Sequence, residues 1–176
     1  MLEIRIGYGD MVSELMRIPM SASDFEAAKK ILDEGKNGNQ PVTVRSLVSP
    51  VQPLSEMIIG LDYGDETRRK ELDFLDSRLQ HMTRKEQDIF SVALKLEAPG
   101  TLKEIINLSY NLDCYDYYHG IADDVQLGEV CLEGDMLDLL DGLPEEVLEL
   151  IDLRKAGQAM RRMDCGTFTG KGYIFR

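Results

Sequence analysis

The segment Leu2-Glu3-Ile4-Arg5-Ile6-Gly7-Tyr8 decides the fold class, because its apolar and polar residues alternate. Alternation with a period of two is typical of a β-strand that buries one face. Gly7-Tyr8-Gly9-Asp10 predicts a turn, and a second strand is expected over residues 13–19. Residues 42–47 have the composition of a third strand. Several short strands with a helix between them predict an α+β unit.

The helices are predicted from their capping residues. Ser23-Asp24-Phe25-Glu26 has the spacing of a capping box, so a helix is expected to begin there and to end at Gly35. In the middle of the chain one apolar stripe steps by three and four residues, through Leu72, Leu75, Leu79 and Met82. Capping boxes also begin at Thr83 and Thr101.

The last third is expected to be mixed. Residues 114–118 are rich in tyrosine and predict an extended segment. Asp123 or Asp124 is expected to cap one helix and Asp152 another, while Pro144 suits the first turn of a helix between them. Residues 166–175 resemble a hairpin with glycines at its turn.

The prolines and glycines that interrupt these patterns divide the chain. Pro50 and Pro53 follow the first strands, and Pro99-Gly100 ends the central helices. We therefore expect an N-terminal α+β subdomain (1–50), a central helical subdomain (51–100) and a C-terminal acidic α+β subdomain (101–176).

Composition excludes several classes of function. The longest apolar runs are far shorter than the ~20 residues that span a bilayer, and residues 2–6 do not resemble a signal peptide, so a cytoplasmic protein is expected. The three cysteines form no CxxC or zinc pattern, and we expect free thiols in or near the core. A sequence pI near 4.6 disfavours direct binding to nucleic acid, which requires lysine and arginine.

The acidity is concentrated in one stretch. The fifty residues between Lys103 and Arg154 contain no lysine or arginine. They contain fourteen carboxylates, so the rest of the chain sums to about +2 of the net charge of −12. The fourteen are Glu104, Asp113, Asp116, Asp123, Asp124, Glu129, Glu133, Asp135, Asp138, Asp141, Glu145, Glu146, Glu149 and Asp152. A field of one sign attracts cationic partners.

Part of this stretch has helical spacing. Asp135, Asp138, Asp141, Glu145, Glu149 and Asp152 step by three or four residues. On a continuous helix they would form a row with Cβ atoms about 5–6 Å apart, although Gly142 and Pro144 are expected to bend or divide it. Such a row can imitate the regularly spaced phosphates of duplex DNA. The plainer interpretation is an acidic surface that only confers solubility.

Catalytic patterns are weak in this chain. GxGxxG, Walker A, HExxH and GxSxG motifs are absent from the sequence. Asp116 and His119 could meet and support acid–base chemistry in a hydrolase. A pair without a nucleophile or metal is weak support for an enzyme, and an ordinary surface histidine is the simpler interpretation.

Two segments resemble a known family. The first segment is Ile105-Ile106-Asn107-Leu108-Ser109-Tyr110-Asn111-Leu112-Asp113-Cys114-Tyr115-Asp116-Tyr117-Tyr118, which is followed by Gly120 and by Leu127-Gly128-Glu129. The second segment is Leu143-Pro144-Glu145-Glu146-Val147-Leu148-Glu149-Leu150-Ile151-Asp152, which is followed by Gly157. Together with the ending Gly166-Thr167-Phe168-Thr169, Gly172-Tyr173, they resemble the antirestriction protein ArdA family over roughly residues 101–176.

The resemblance implies an elongated, three-part α+β protein that mimics bent B-form DNA. Members of the family occupy the DNA site of type I restriction-modification enzymes without catalysis or cofactor. They form homodimers and are usually encoded on mobile genetic elements. On this resemblance the partner is the methyltransferase–specificity part of such an enzyme, contacted by the carboxylates from Asp113 to Asp152 named above. The family's antirestriction motif, linked to dimer formation, falls on residues that include Leu140, Leu143, Pro144, Leu148, Ile151 and Gly157.

Two alternatives remain beside this interpretation. The acidic stretch could form an interaction module for another basic, DNA-associated protein, or Asp116 and His119 could serve a hydrolase. A basic cluster follows the acidic stretch, formed by Arg154, Lys155, Arg161 and Arg162. One interpretation is that these cations lie near a helix C-terminus, where the helix dipole favours positive charge. The other is that they form salt bridges between subunits.

Overall fold

The computed structural model describes residues 1–134, 144, 147 and 150–176. Over these residues the chain is α+β and contains two small antiparallel sheets. The chain forms two compact units, residues 1–112 (unit 1) and 113–176 (unit 2).

Unit 1 contains a four-stranded sheet. Its central strand, β1 (Glu3–Tyr8), pairs antiparallel with β2 (Met11–Val12), β3 (Met16–Arg17) and β4 (Thr43–Val48). Alternate residues of β1 are buried, as predicted from its sequence. The prediction of one strand over residues 13–19 is wrong. The Ser13 hydroxyl accepts from the Ile6 amide and donates to the Glu14 carbonyl, and this local bonding replaces regular strand pairing.

The first helix begins earlier and ends later than predicted. Helix α1 (Ala22–Asn37) is capped by Ser21, whose hydroxyl accepts from the Asp24 amide at 3.2 Å, so the box predicted at Ser23 is wrong. Gly35 does not end the helix. It is buried against Val42, with 2.5 Å between that side chain and an added Cβ. Gly38 is the C-cap instead, and its amide donates to the Glu34 and Lys36 carbonyls.

Four further helices complete unit 1. They are α2 (Pro53–Ile58), α3 (Glu66–His81), α4 (Arg84–Glu97) and α5 (Leu102–Tyr110). The predicted apolar stripe is confirmed, since Leu72, Leu75, Leu79 and Met82 are all buried. The capping boxes at Thr83 and Thr101 are confirmed as well.

The expected boundaries at residues 50 and 100 both lie inside unit 1. Helix α2 packs against β4 and α4, and helix α5 packs against α3 and α4. Through these contacts the strands of unit 1 and the helices that follow them form one unit. Helix α5, which lies in the predicted C-terminal subdomain, belongs to that unit as well.

A buried carboxylate attaches α3 to the sheet. Asp76 is 0% exposed, and its Oδ1 accepts from the Leu2 amide at 2.5 Å while its other oxygen accepts from Gln80. We expect Asp76→Ala to lower the free energy of unfolding by about 1–3 kcal/mol, because the buried amide loses its acceptor. Urea denaturation measures this change. Asp33→Ala, on the exposed side of α1, is the control, and equal effects of the two substitutions would contradict the argument.

A buried phenol makes unit 1 sensitive to alkali. Tyr63 is 4% exposed, and burial raises its pKa to about 12; Asp73 adds to this rise and Arg69 opposes it. Between the unfolded pKa near 10 and the folded pKa, the unfolded chain loses its proton first. The free energy of unfolding therefore falls as the pH rises, by about 2–3 kcal/mol. Tyr63→Phe should reduce this fall in denaturation series from pH 9 to 12, and an unchanged slope would contradict the prediction.

Unit 2 combines a small sheet with a helix pair. Strands β5 (Asp116–His119), β6 (Thr167–Phe168) and β7 (Gly172–Phe175) form a sheet in the order β5-β7-β6, which confirms the closing hairpin. Helix α6 (Asp124–Glu133) is capped by Asp123, and helix α7 (Leu153–Met163) by Asp152, as predicted. The extended segment expected from residue 114 begins at Asp116, because a 3₁₀ turn spans Leu112–Cys114.

The core of unit 2 lies between the helix pair and the sheet. Its buried members are Leu127, Cys131, Ala156 and Tyr173. The expectation that all cysteines lie in or near the core holds for Cys131 alone, since Cys114 and Cys165 are exposed.

Two glycines let α6 and α7 approach at backbone distance. A Cβ added at Gly128 would lie 2.0 Å from the Leu153 carbonyl oxygen, and one added at Gly157 would lie 1.9 Å from the Asp124 oxygen. Real Cβ atoms do not reach such distances, so neither position accepts a side chain unless the helices separate. The paired positions run in opposite directions along the two helices, which are therefore antiparallel.

Candidate acidic partner-binding surface

Residues 113–176 carry fourteen acidic and six basic side chains, a formal charge of −8. Residues 1–112 account for the remaining −4. The negative charge is therefore concentrated in unit 2, and the surface positions of its carboxylates determine what a partner would meet.

Helix α6 presents two carboxylates side by side. Glu129 and Glu133 are exposed and four residues apart, while Leu127, Gly128 and Cys131 on the other side of the helix are buried. Side chains four residues apart on a helix have Cβ atoms about 5–6 Å apart. The solvent-facing side of α6 is therefore a short row of negative charge.

Two further exposed carboxylates lie near the start of unit 2. Asp113 is part of the 3₁₀ turn, and Asp116 is the first residue of β5, opposite Phe175 on β7. With Glu129 and Glu133 they form the four carboxylates that we call the open acidic set. Within the described part of the chain none of the four lies within 4.0 Å of a cationic nitrogen.

Three other predicted carboxylates already hold internal contacts. Asp123 accepts from the Val125 and Gln126 amides at 2.9 and 3.0 Å. Asp152 accepts from the Lys155 amide, and its other oxygen lies 3.6 Å from that lysine's Nζ. The Asp124 side chain is only 18% exposed, and its Oδ1 lies 3.3 Å from Arg161 Nε. These groups shape unit 2 and offer less free charge to a partner than the open acidic set.

Several predicted residues lie outside the described residues. They are Asp135, Asp138, Asp141, Glu145, Glu146 and Glu149 of the carboxylate set, and Leu140, Leu143 and Leu148 of the antirestriction-like motif. The helical row from Asp135 to Asp152 stays a prediction.

The described motif residues have different environments. Pro144 is exposed, whereas Ile151 is partly buried and packs on the core of unit 2. Gly157 is buried where α6 and α7 meet, so it has a structural role inside the unit. The sequence interpretation missed that Gly128 has the same role, since it lies against the Leu153 backbone of α7. Glycine inside a helix costs about 1 kcal/mol relative to alanine, so a glycine within each predicted helix was an unusual feature of the sequence, although the sequence does not show what either glycine contacts.

The basic cluster after the acidic stretch belongs largely to α7 itself. Arg161 pairs with Asp124 and lies over the Phe168 ring, 5.3 Å from its centroid. It thereby connects α6, α7 and β6. Arg162 Nε donates to the Gln158 carbonyl one turn earlier, and both arginines lie in the last turn, which the helix dipole favours.

A buried phenol and a carboxylate fix the end of unit 2. The Tyr173 hydroxyl donates to Asp164 Oδ1 at 2.5 Å, and the Gly166 amide donates to the same oxygen at 2.8 Å. Burial, followed by the hydrogen bond to Asp164 and the charge of that carboxylate, raises the pKa of Tyr173 well above its usual range. This bond was not predicted from the sequence, since Asp164 and Tyr173 have no distinctive spacing.

The pair considered for a hydrolase does not come together. Asp116 and His119 are three residues apart on β5, so their side chains project from opposite faces with Cα atoms about 10 Å apart. A surface recess of about 300 Å³ touches His119, and Asp116 is not part of its lining. These two residues form no acid–base pair in this arrangement.

The described residues lack two further kinds of feature. Among them, no three histidine, cysteine, aspartate or glutamate side chains are grouped as a metal would require. In the same part of the chain, no helix has the length and apolar character needed to cross a bilayer.

Comparisons with known proteins give no identification, because no protein-family model and no curated protein matches the chain.

Proposed function

We propose that this protein is a DNA-mimicking antirestriction protein that occupies the DNA groove of type I restriction-modification enzymes. The proposal combines the resemblance of residues 101–176 to the ArdA family with the physical character of unit 2. In this mechanism the protein catalyses no reaction and uses no cofactor. It acts by excluding DNA from the groove.

The observation that carries the proposal is the open acidic set on a unit with a charge of −8. A groove that binds DNA is lined with lysine and arginine, because neutralising phosphates supplies most of its affinity. Exposed carboxylates held on a packed helix and at a strand end can meet those cations without further ordering. This arrangement reduces the entropy lost on binding.

The partner on this proposal is the methyltransferase–specificity part of the enzyme, which must hold duplex DNA. Steering by opposite charges accelerates the encounter and weakens as salt rises. We propose that the inhibitor acts as a homodimer, which would extend the acidic surface along the groove.

Competition with DNA tests the proposal. A labelled duplex bound to a type I methyltransferase–specificity complex is titrated with the protein at 50 and 200 mM salt. Displacement should be strong at the lower salt concentration and much weaker at the higher one. No displacement at 50 mM would overturn the proposal.

The open acidic set also suits an interaction module for another basic, DNA-associated protein, and affinity capture separates the two functions. Recovery of restriction-enzyme subunits supports the proposed target. Recovery of a different basic protein without those subunits favours the module.

A further inference from the structure

A recess in unit 1 lies between α2, the first turn of α3 and the turn that joins α4 to α5. Most of its lining is apolar and comes from Met57, Ile58, Leu61, Pro99, Leu102 and Ile105. Ile58, Leu102 and Ile105 are at most 3% exposed, so the floor of the recess belongs to the core of unit 1. Such walls remove an aliphatic group from water, and the burial of apolar surface favours binding.

The size of the recess limits the aliphatic group that it can hold. Its volume is about 110 Å³. A cavity of about 150 Å³ in a protein core accommodates a benzene ring. By that measure the recess accommodates about four or five carbon atoms, which is the size of a branched aliphatic side chain such as that of valine or leucine.

Charged groups of both signs lie beside the apolar walls. The Arg68 side chain lines the recess, and its Nη1 lies 3.2 Å from Glu71 Oε2. Both side chains remain in contact with solvent, at 36% and 23% exposure. This contact uses one nitrogen of the guanidinium, which has five N–H donors, and one oxygen of the carboxylate. The pair can therefore hold a further anionic group and a further cationic group.

The turn between α4 and α5 is fixed before any ligand arrives. Glu104 Oε2 accepts from the Gly100 and Thr101 amides at 2.9 and 3.1 Å, and the Thr101 hydroxyl accepts from the Glu104 amide at 3.2 Å. These amides already have acceptors, so they are not the groups that would bind an anion. The Thr101 hydroxyl lines the recess and is an acceptor in its bond to the Glu104 amide, so its proton can be donated to a ligand.

We propose that this recess binds a free aliphatic α-amino acid of the size of valine or leucine. The apolar walls take the branched side chain, Arg68 takes the carboxylate through charge-assisted hydrogen bonds, and Glu71 takes the ammonium group. A simple carboxylate would meet the opposing charge of Glu71, and a simple amine would meet that of Arg68, so the pair favours a zwitterion over either. Every residue of the site belongs to unit 1, and the proposal does not depend on the antirestriction function.

Titration of the full-length protein with leucine tests the proposal. The methyl signals of Met57, Ile58, Leu61 and Ile105 are followed by NMR at constant ionic strength, and we expect shifts that saturate. Glycine carries the same charged groups without the side chain and should bind about tenfold more weakly or worse, since each buried carbon contributes about fourfold. Shifts that do not saturate with leucine, or equal affinities for leucine and glycine, overturn the proposal.

Two analogues of leucine test the two charged contacts separately. The first is 4-methylpentanoate, which lacks the ammonium group, and the second is 3-methylbutylamine, which lacks the carboxylate. Each should bind about tenfold more weakly than leucine, because one charged contact is lost and one opposing charge is left without its partner. If either analogue binds as tightly as leucine, zwitterion recognition by Arg68 and Glu71 is refuted.

Variants show whether the recess is the site. Arg68→Met should weaken leucine binding about tenfold or more. Glu71→Gln should weaken leucine binding and strengthen that of 4-methylpentanoate, a reversal that a merely structural role would not produce. Met57→Trp should abolish binding by filling the recess. Lys70→Met is the control, because Lys70 is an exposed cation of α3 outside the lining that pairs with Glu66 at 2.7 Å. Binding retained in Arg68→Met or Met57→Trp, or an equal loss in Lys70→Met, overturns the proposal.

Discussion

Gly157→Ala is expected to destabilise unit 2 by about 2 kcal/mol or more. The added methyl carbon would lie 1.9 Å from the Asp124 carbonyl oxygen, so α6 and α7 must separate or bend. Overpacking of this kind typically costs about 1–3 kcal/mol and sometimes more. Alanine has the better helix propensity by about 1 kcal/mol, and that gain is too small to offset a clash with backbone. Gly128→Ala should behave in the same way, since its Cβ would lie 2.0 Å from the Leu153 oxygen.

Amide hydrogen exchange read by mass spectrometry measures this effect where it occurs. Peptides from α6 and α7 should lose protection, while peptides from unit 1 should not. The control is Gly170→Ala, which adds the same methyl group at a glycine with no atom within 4 Å of the new carbon. If propensity decided the outcome, Gly157→Ala would protect α7 better than the original residue, and the close contact of the helices would be refuted.

Neutralising the open acidic set is expected to weaken inhibition of a type I enzyme about tenfold or more. The variant changes Asp113 and Asp116 to Asn and Glu129 and Glu133 to Gln. Each substitution keeps the side-chain shape and removes one charge that would face the cations of the groove. Contacts to charged groups are worth about 1.5–3 kcal/mol when they are desolvated, so even partial engagement of four carboxylates exceeds the 1.4 kcal/mol that corresponds to tenfold.

A matched variant distinguishes the effect of the open acidic set from the effect of net charge. Asp10, Glu14, Glu26 and Glu56 are exposed carboxylates of unit 1, and changing them to Asn or Gln alters the net charge by the same four units. Inhibition of DNA cleavage, measured at 50 mM salt, should remain close to that of the original protein in this control. Equal losses in both variants would mean that only net charge matters. Unchanged inhibition in the first variant would exclude the open acidic set as the contact surface.

Local signals predicted the secondary structure where side chain and backbone interact within one turn. Thr83 and Thr101 cap their helices as expected, because in almost any context the threonine hydroxyl accepts from the amide of the glutamate three residues later, and that glutamate's side chain accepts from the threonine amide. Ser23 has the same spacing and does not cap, since Ser21 caps the helix and the helix begins two residues earlier than expected. Competing caps two residues apart cannot be ranked from spacing alone.

Contacts between residues that are far apart in the chain could not be predicted from the sequence, because they depend on how the elements pack. The acidic composition indicated which unit carries the charge, but the internal use of Asp124 depends on Arg161, 37 positions away in the chain. Gly128 and Gly157 show their importance only when their helices face each other. The pairing of Asp164 with Tyr173 likewise depends on how the last hairpin folds back.

The backbone contact between α6 and α7 separates the interior of unit 2 from its surface chemistry. Packing there depends on Gly128 and Gly157 and on a few buried side chains. The exposed side chains of Glu129 and Glu133 on α6 are not part of that packing. An acidic residue can therefore move from one helical turn to the next at little cost in stability. A protein built in this way can conserve its electric field while its sequence drifts.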